Sequence, residues 1–510
     1  MTGTAAGNIN EYHKAQVWRI GFFALNNTAT NLYMFILAFV TYYATGVAGL
    51  TVVVVSMILT FMRVFDGITD PIIGFVIDKT ESKFGKFRPL MVMGNIILAG
   101  SILVMYNFTH LLPESLQLVF FIAIYGIYII GYTFQTACTK AAQTVLTNDP
   151  KQRPLFAVFD GVYNTLLFVG GQVFVASVLV AKHGGFTMPL FTELNTYAIV
   201  LGFIFTGLAV IGIWPKDRKE YFGLADLNVQ TNFRDYWPIL KGNRPLLMLI
   251  IAASSDKLTL SVLRHAVVVV MLFGILLGDY ELSGTVSMII IVPTLLITFA
   301  GVWYARKTDL KKSFVASTWI GLVSFGLLIA LLFLVDPRTI SLENLGFATI
   351  GFLILYALGM GFGGLPSALV IPMIADVSDY ETYKSGRYVP GMIGTLFSFV
   401  DKLISSLAPA LVGFAVALIG FRNEFPEIGE PLTAPLYGMT IFLAFGIPVL
   451  GWIASLIAMK FYHLNSERME EIQRTIADVK EKAEREGVVI TSPDQVERSK
   501  DALNPITSPK

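Results

Sequence analysis

The sequence predicts an all-α polytopic membrane protein: twelve bilayer-crossing helices in two pseudo-repeated halves of six. Three observations predict it. Of 510 residues, 55% are hydrophobic and only 14% charged, with mean hydropathy +0.66; an ordinary soluble chain carries about 25% charged residues. Apolar runs of about 20 residues, long enough to cross the hydrocarbon, recur throughout. A short basic turn returns at corresponding places in the two halves. The alternation of about 10 residues that marks a β-barrel is absent. A net charge of +1 leaves no nucleic-acid footprint. The lone Cys138 excludes an internal disulfide and lies in an apolar segment. The N-terminus is polar and shows no signal peptide, so the first span is expected to serve as targeting signal.

The spans are expected near 16–45, 48–77, 89–108, 115–146, 154–181, 194–214, 245–277, 282–305, 313–335, 345–377, 389–420 and 435–462. Spans above 25 residues imply tilt or continuation past the membrane surface. The loops after even-numbered spans carry Lys79, Lys83, Lys86, Arg88, Lys151, Arg153, Arg306, Lys307, Lys311, Lys312, Lys384 and Arg387, besides six bases in the linker. Those after odd-numbered spans offer only Lys182, Arg338 and Arg422 among several acids. The positive-inside rule then puts the even loops and both termini in the cytoplasm of a cell (inner) membrane protein.

The turn IDKTESKFGK after span 2 is echoed by ARKTDLKKS after span 8. The expected organisation is a first half over 1–214, a polar cytoplasmic linker over 215–244, a second half over 245–462 and a tail over 463–510. In the tail, Met469, Ile472, Ile476, Val479 and Ala483 recur at helical spacing between Ser466 and Gly487; residues beyond 487 read as disordered. Two parallel six-helix halves are the organisation of the major facilitator fold, with a substrate site between them near mid-membrane.

Charges inside hydrocarbon are costly and usually face a cavity or a partner. Span 2 holds Arg63, Asp66 and Asp70, whose spacings of three, four and seven put them on one helical face. Two carboxylates one turn apart with Thr69 beside them suit Na⁺, which prefers oxygen ligands. They also suit H⁺, because neighbouring acids in low dielectric compete for one proton. The plainer alternative is that Arg63 neutralises one acid in a structural pair. Span 4 carries a polar stripe of Tyr132, Thr133, Gln135, Thr136, Thr139, Lys140 and Gln143, and span 1 offers Asn26, Asn27, Asn31 and Tyr33. Such groups suit sugar hydroxyls or plain interhelical bonding. Asp160 in span 5 adds an acid. Span 7 carries Asp256, Lys257, Arg264 and His265, and span 11 carries Asp401 and Lys402, adjacent residues that point about 100° apart. Lys140, Lys257, Arg264 and Lys402 either make a cavity that favours an anionic solute or are paired with Asp160, Asp256 and Asp401.

The segment DGITDPIIGFVIDKTESKFGKFRP resembles the signature of the glycoside–pentoside–hexuronide:cation symporters, and ADVSDYETYKSGRYVPGMIGTLFSFVDK over 375–402 resembles its second-half counterpart. The layout of all twelve spans is similar to that family. The resemblance implies a cation site at Asp66 and Asp70 assisted by Thr69 and Thr133. Thr136 stands where the family's third acid falls. The resemblance also places Asn26 where a sugar-binding acid falls, Lys140 where a tryptophan falls, and Lys402 on the family's span 11 lysine. An amide for an acid and a lysine for a tryptophan make the site more positive.

The expected function is therefore symport of a sugar, glycoside or acidic uronide, with Na⁺ or H⁺ by alternating access. Asn26, Tyr33, Tyr132, Lys140, Asp160, Lys257, Arg264 and Lys402 are the expected substrate contacts. Arg63, Asp78, Lys86, Arg88, Asp376, Asp379 and Arg387 are expected to gate or brace. The expected partners are the sugar, the coupling cation and the lipid bilayer, with a monomeric protein, no cofactor and no metal beyond Na⁺. Transport of a lysolipid or other amphipathic solute is the alternative. A passive channel fits the paired acids and two halves less well. A membrane-embedded enzyme is disfavoured: there are five His and no HExxH or GxSxG motif.

Overall fold

The computed structural model describes residues 14–80, 82–147, 152–218, 242–343, 345–385 and 390–475. Twelve helices are long and apolar enough to cross a membrane. In chain order they are α1 (Val17–Val47), α2 (Val52–Lys79), α3 (Phe87–Phe108), α4 (Glu114–Leu146), α5 (Arg153–Val173, wound on to His183) and α6 (Met188–Ile213). The second set is α7 (Arg244–Leu263, resumed over Ala266–Leu276), α8 (Glu281–Lys307), α9 (Leu310–Leu334), α10 (Phe347–Gly364, resumed over Pro366–Ser385), α11 (Pro390–Ser405, resumed over Ala408–Leu418) and α12 (Ala434–Phe461). The twelve expected spans are thus all present. α6 begins earlier than expected because Glu193, read as a loop acid, lies inside it, answered by Lys182 at 2.9 Å and His183 at 2.7 Å.

The helices start where the sequence supplies caps. Asn243 Oδ1 accepts from Leu246 N–H at 2.9 Å to open α7, and Asp309 Oδ1 accepts from Lys311 N–H at 2.6 Å to open α9. α3 is capped from a distance: Asp217, just past α6, accepts the N–H groups of Lys86, Phe87 and Arg88 at 2.9–3.2 Å and the Arg88 guanidinium at 3.3 Å. An acid at a helix N-terminus satisfies orphan donors and opposes the helix dipole. Gly85, at φ +98°, lets the chain pass Asp217; a Cβ there would stand 2.2 Å from the carboxylate.

α1 packs on α4, α5 and α6, and α3 on α4 and α6; α7 packs on α10, α11 and α12, and α9 on α10 and α12. The two sets meet through α2 with α11 and α5 with α8. Glycines permit both crossings. A Cβ on Gly413 would fall 1.9 Å from Ser56 Oγ, and one on Gly284 3.0 Å from Val173 Cα. The bonds joining the sets gather on the face opposite the basic turns. Val52 N–H donates to Arg422 O at 3.0 Å, Tyr42 Oη to Pro426 O at 3.2 Å, Gln172 Nε2 to Ser283 Oγ at 3.0 Å, and Ala410 N–H to Thr60 Oγ1 at 3.1 Å. Towards the basic face, α4 does not pack closely on α10 or α11 among the described residues. The molecule is closed on the far face and opens between its halves toward the basic one.

Past α12 the chain is helical over 466–475 and lies against the basic face of the second half. Ile472 is fully buried there, Ser466 N–H donates to Asp309 Oδ2 at 2.6 Å, and Gln473 Nε2 donates to Asp379 at 2.6 Å. The expected continuation of this helix to Gly487 and most of the 215–244 linker lie outside the described residues.

Candidate functional site

The two acids of α2 face α4 and α11. Thr133 Oγ1 lies 3.2 Å from Asp66 Oδ1 and 2.9 Å from Thr69 Oγ1, and Thr69 Oγ1 lies 2.9 Å from the Asp66 carbonyl oxygen. From the other half, Lys402 Nζ reaches both carboxylates, at 3.5 Å from Asp66 Oδ2 and in a short contact with Asp70 Oδ2. Asp66 is the deeper acid: its side chain is 15% exposed against 38% for Asp70, which stands one turn nearer the open face. The cluster is two carboxylates, two hydroxyls and one ammonium, a donor set of hard oxygens with a lysine among them. Thr136 is beside this cluster but turns its hydroxyl onto the Thr133 carbonyl oxygen at 3.2 Å.

The plainer alternative, in which Arg63 neutralises one of these acids, is not the arrangement found. Arg63 is exposed and makes no ion pair among the described residues. The counter-charge of the acids comes instead from Lys402, more than three hundred residues away in sequence. Lys257, expected at the substrate, is likewise ion-paired with Asp401. Asp401 and Lys402, adjacent in sequence, thus reach different partners, as the 100° step of a helix requires. Asp256 pairs with neither Lys257 nor Arg264. It is buried against α12 beside Ser455, with both carboxyl oxygens unpartnered.

Three more expected substrate contacts sit inside helix interfaces. Asn26 has no exposed surface: its Nδ2 donates to Gln135 O at 3.2 Å and Thr139 Oγ1 at 2.8 Å, binding α1 to α4. Tyr33 is equally buried, its ring fitted against Gly202 of α6. Asp160 accepts from Asn27 Nδ2 at 2.6 Å, one turn from the Asn31–Asn164 bond at 2.8 Å; together they form a polar ladder between α1 and α5. Amides on a helix face serve packing as readily as recognition, and the spacing within one helix does not say which neighbour they meet. Tyr132 is half-buried beside the carboxylates, and Lys140 and Arg264 are exposed.

Of the bracing residues, Lys86 and Arg88 are held by Asp217, a residue the sequence reading passed over because it lies in a basic loop. Asp379 receives Gln473 of the tail, and Asp376 is half-buried near it. The Asp78 side chain and Arg387 lie outside the described residues. His265 also went unassigned. Its position becomes notable only with the break of α7 at Arg264–His265, which apolar periodicity does not reveal.

Residues 22–466 match the model of a family described as MFS/sugar transport protein. The chain is 23% identical to a putative glycoside/cation symporter of Escherichia coli, over 87% of this chain and 90% of that one. It is also 23% identical to a glucuronide carrier protein homolog of the same organism, over 85% and 89%. Among solved structures, a nucleoside transporter shares the fold at TM-score 0.58 and 12% identity, over 87% of this chain and 99% of that one.

Proposed function

The chain belongs to the MFS/sugar transport family, to its glycoside–pentoside–hexuronide:cation symporters, and from that premise we propose that it couples inward movement of a sugar to a monovalent cation bound at Asp66 and Asp70. It is a multi-pass membrane transporter and not an enzyme. The observation that supports the cation reading best is the Lys402 ammonium lying between the two carboxylates. Two acids and one lysine carry a net charge of −1, and one monovalent cation makes the cluster neutral. In low dielectric that unbalanced charge is worth several kcal/mol. Thr69 and Thr133 supply neutral oxygens to the same cation, either Na⁺ or the proton that replaces it. With the basic face cytoplasmic, the conformer is inward-open, and Lys402 stands where the departing cation leaves its charge. In the outward-open conformer the 2–11 and 5–8 crossings part, the cation re-enters, and the sugar follows between the halves. The protein acts as a monomer in this reading. The Asp70→Asn variant should lose cation-driven accumulation in proteoliposomes while still exchanging sugar across the membrane. Accumulation at the wild-type level would remove Asp70 from the ion site.

A further inference from the structure

A groove lies apart from the ion cluster, where α3 and α6 meet at the basic face. It is a cavity of about 460 Å³, within the range of ligand-sized clefts, about 300–1,000 Å³. Phe84, Val92, Met93, Ile96 and Trp214 line it and are all exposed, and Arg88 is its one charged residue. From Pro89 to Ile97 the lining follows α3 for about 12 Å, at about 1.5 Å per residue. Exposed side chains this apolar, on two membrane-spanning helices, face hydrocarbon rather than a watery passage. Arg88 is pinned at the mouth. Its Nε donates to Asp217 Oδ2 at 3.3 Å, and its guanidinium carbon lies 4.5 Å from the centre of the Trp214 ring. Its two outer nitrogens, Nη1 and Nη2, make no hydrogen bond among the described residues. Asp217 does not repel a ligand strongly, because it is buried and its oxygens already accept from three backbone N–H groups and from this Nε. The same bonds use up the donors at the start of α3, where Pro89 has no N–H to add, so an anion here meets the guanidinium and not the helix end. Lys83, whose Nζ lies 5.1 Å from the Phe84 ring, and Arg218, next to Asp217, are exposed at the same end.

The groove thus joins an apolar channel in the hydrocarbon to cations at the level of the headgroups. A guanidinium with its outer edge unbonded matches a phosphate in two-bond geometry. Basic pockets between spans on the cytoplasmic side suit anionic headgroups, and an exposed tryptophan suits the boundary between membrane and water. We propose that the α3–α6 groove binds one anionic phospholipid from the leaflet at the basic face, its phosphate on the Nη edge of Arg88 and one acyl chain along Val92, Met93 and Ile96. Lys83 and Arg218 add attraction for a headgroup of net negative charge. A phosphatidylglycerol is therefore preferred over a phosphatidylcholine, whose headgroup carries its own cation. The site lies wholly within the first half, clear of the α2–α11 and α5–α8 crossings. The lipid braces the α2–α3 turn that Asp217 holds and is independent of the ion and solute being carried.

The test is lipid retention by the purified full-length protein in a neutral detergent, read by native mass spectrometry during titration with dioleoyl-phosphatidylglycerol or dioleoyl-phosphatidylcholine. For the first lipid bound, wild type should half-saturate with phosphatidylglycerol at a concentration on the order of tenfold below that for phosphatidylcholine. Arg88→Gln should shrink that difference to about threefold or less. Val92→Trp fills the groove and leaves the bonds of Arg88 and Asp217 in place; it should weaken phosphatidylglycerol retention by about tenfold. Circular dichroism reports that each variant is helical, and Val92→Trp decides by itself where Arg88→Gln does not fold. Equal retention of the two lipids by wild type overturns the site. So does a phosphatidylglycerol preference that survives in folded Arg88→Gln, or undiminished retention by Val92→Trp. Glycerol phosphate, the headgroup chemistry without chains, should fail to displace the lipid at equal concentration; displacement would assign Arg88 to a soluble phosphate and overturn the lipid site.

Discussion

Lys402 is the residue on which the site turns, and its role separates two accounts. If its ammonium competes with the coupling cation, neutralising it opens the acids to the cation. Lys402→Gln should then tighten apparent cation affinity by roughly tenfold, the equivalent of about 1.4 kcal/mol, and slow net transport because the leaving cation has no substitute. If Lys402 is only a structural counter-charge, the same variant should leave cation affinity unchanged and lower thermal stability instead. Isothermal binding and melting of one purified variant decide between them. This partnership was not legible in the sequence. The three charges of α2 are visible as one face, and the plainer alternative on that face gives Arg63 to an acid three residues on. The partner came instead from α11, 332 residues beyond Asp70, and no helical periodicity reports that distance. What the sequence did carry was the 100° step between Asp401 and Lys402, which sends one to Lys257 and the other to α2.

At the scale of elements, hydrophobic runs and turn charges made the twelve helices legible because the bilayer imposes length and polarity on each helix separately. Features depending on two elements were less so. Asn26, Tyr33 and Asp160 looked like solute contacts along their own helices, yet they are spent on α4, α6 and α1. The turn between α2 and α3 shows the same limit. Its lysines and arginine marked it as special, but the group that fixes it is Asp217 from beyond α6. The second half solves the same problem differently. Its cap, Asp309, sits in the turn itself and uses its other oxygen on Ser466, while Lys311 reaches the Tyr462 carbonyl oxygen. Each half thus ties its second turn to the end of its sixth span. Asp217→Ala removes charge-assisted bonds to three backbone donors and should lower stability by about 2 kcal/mol, within the upper range for caps and helix-dipole partners. The loss should appear as a lower melting temperature with cation affinity retained. A variant that melts at the wild-type temperature would show that the α2–α3 turn holds itself.

At the scale of the molecule, the two sets of six are joined on one face and parted on the other, and that asymmetry makes a rocking mechanism testable. The joined face rests on close backbone approach at Gly413 and Gly284 and on a few polar bonds, of which Gln172 to Ser283 at 3.0 Å links α5 to α8 directly. Apolar contacts flank those bonds, with Tyr42 against Phe425 and Phe186 against Tyr280, and a face held by many weak contacts can part in each cycle because no single one commits the molecule to one state. Tying them should arrest it. Cysteines at Gln172 and Ser283 bring a thiol pair to a crossing the cycle must open, against a clean background, since Cys138 is the chain's sole cysteine and is buried. Oxidation of the double variant should stop counterflow almost completely, and reduction should restore it, while each single-cysteine variant keeps its rate under both conditions. Cross-linked protein that continues to transport would mean that this face stays closed throughout the cycle. The solute would then have to pass elsewhere, and alternating access through the 5–8 crossing would be wrong.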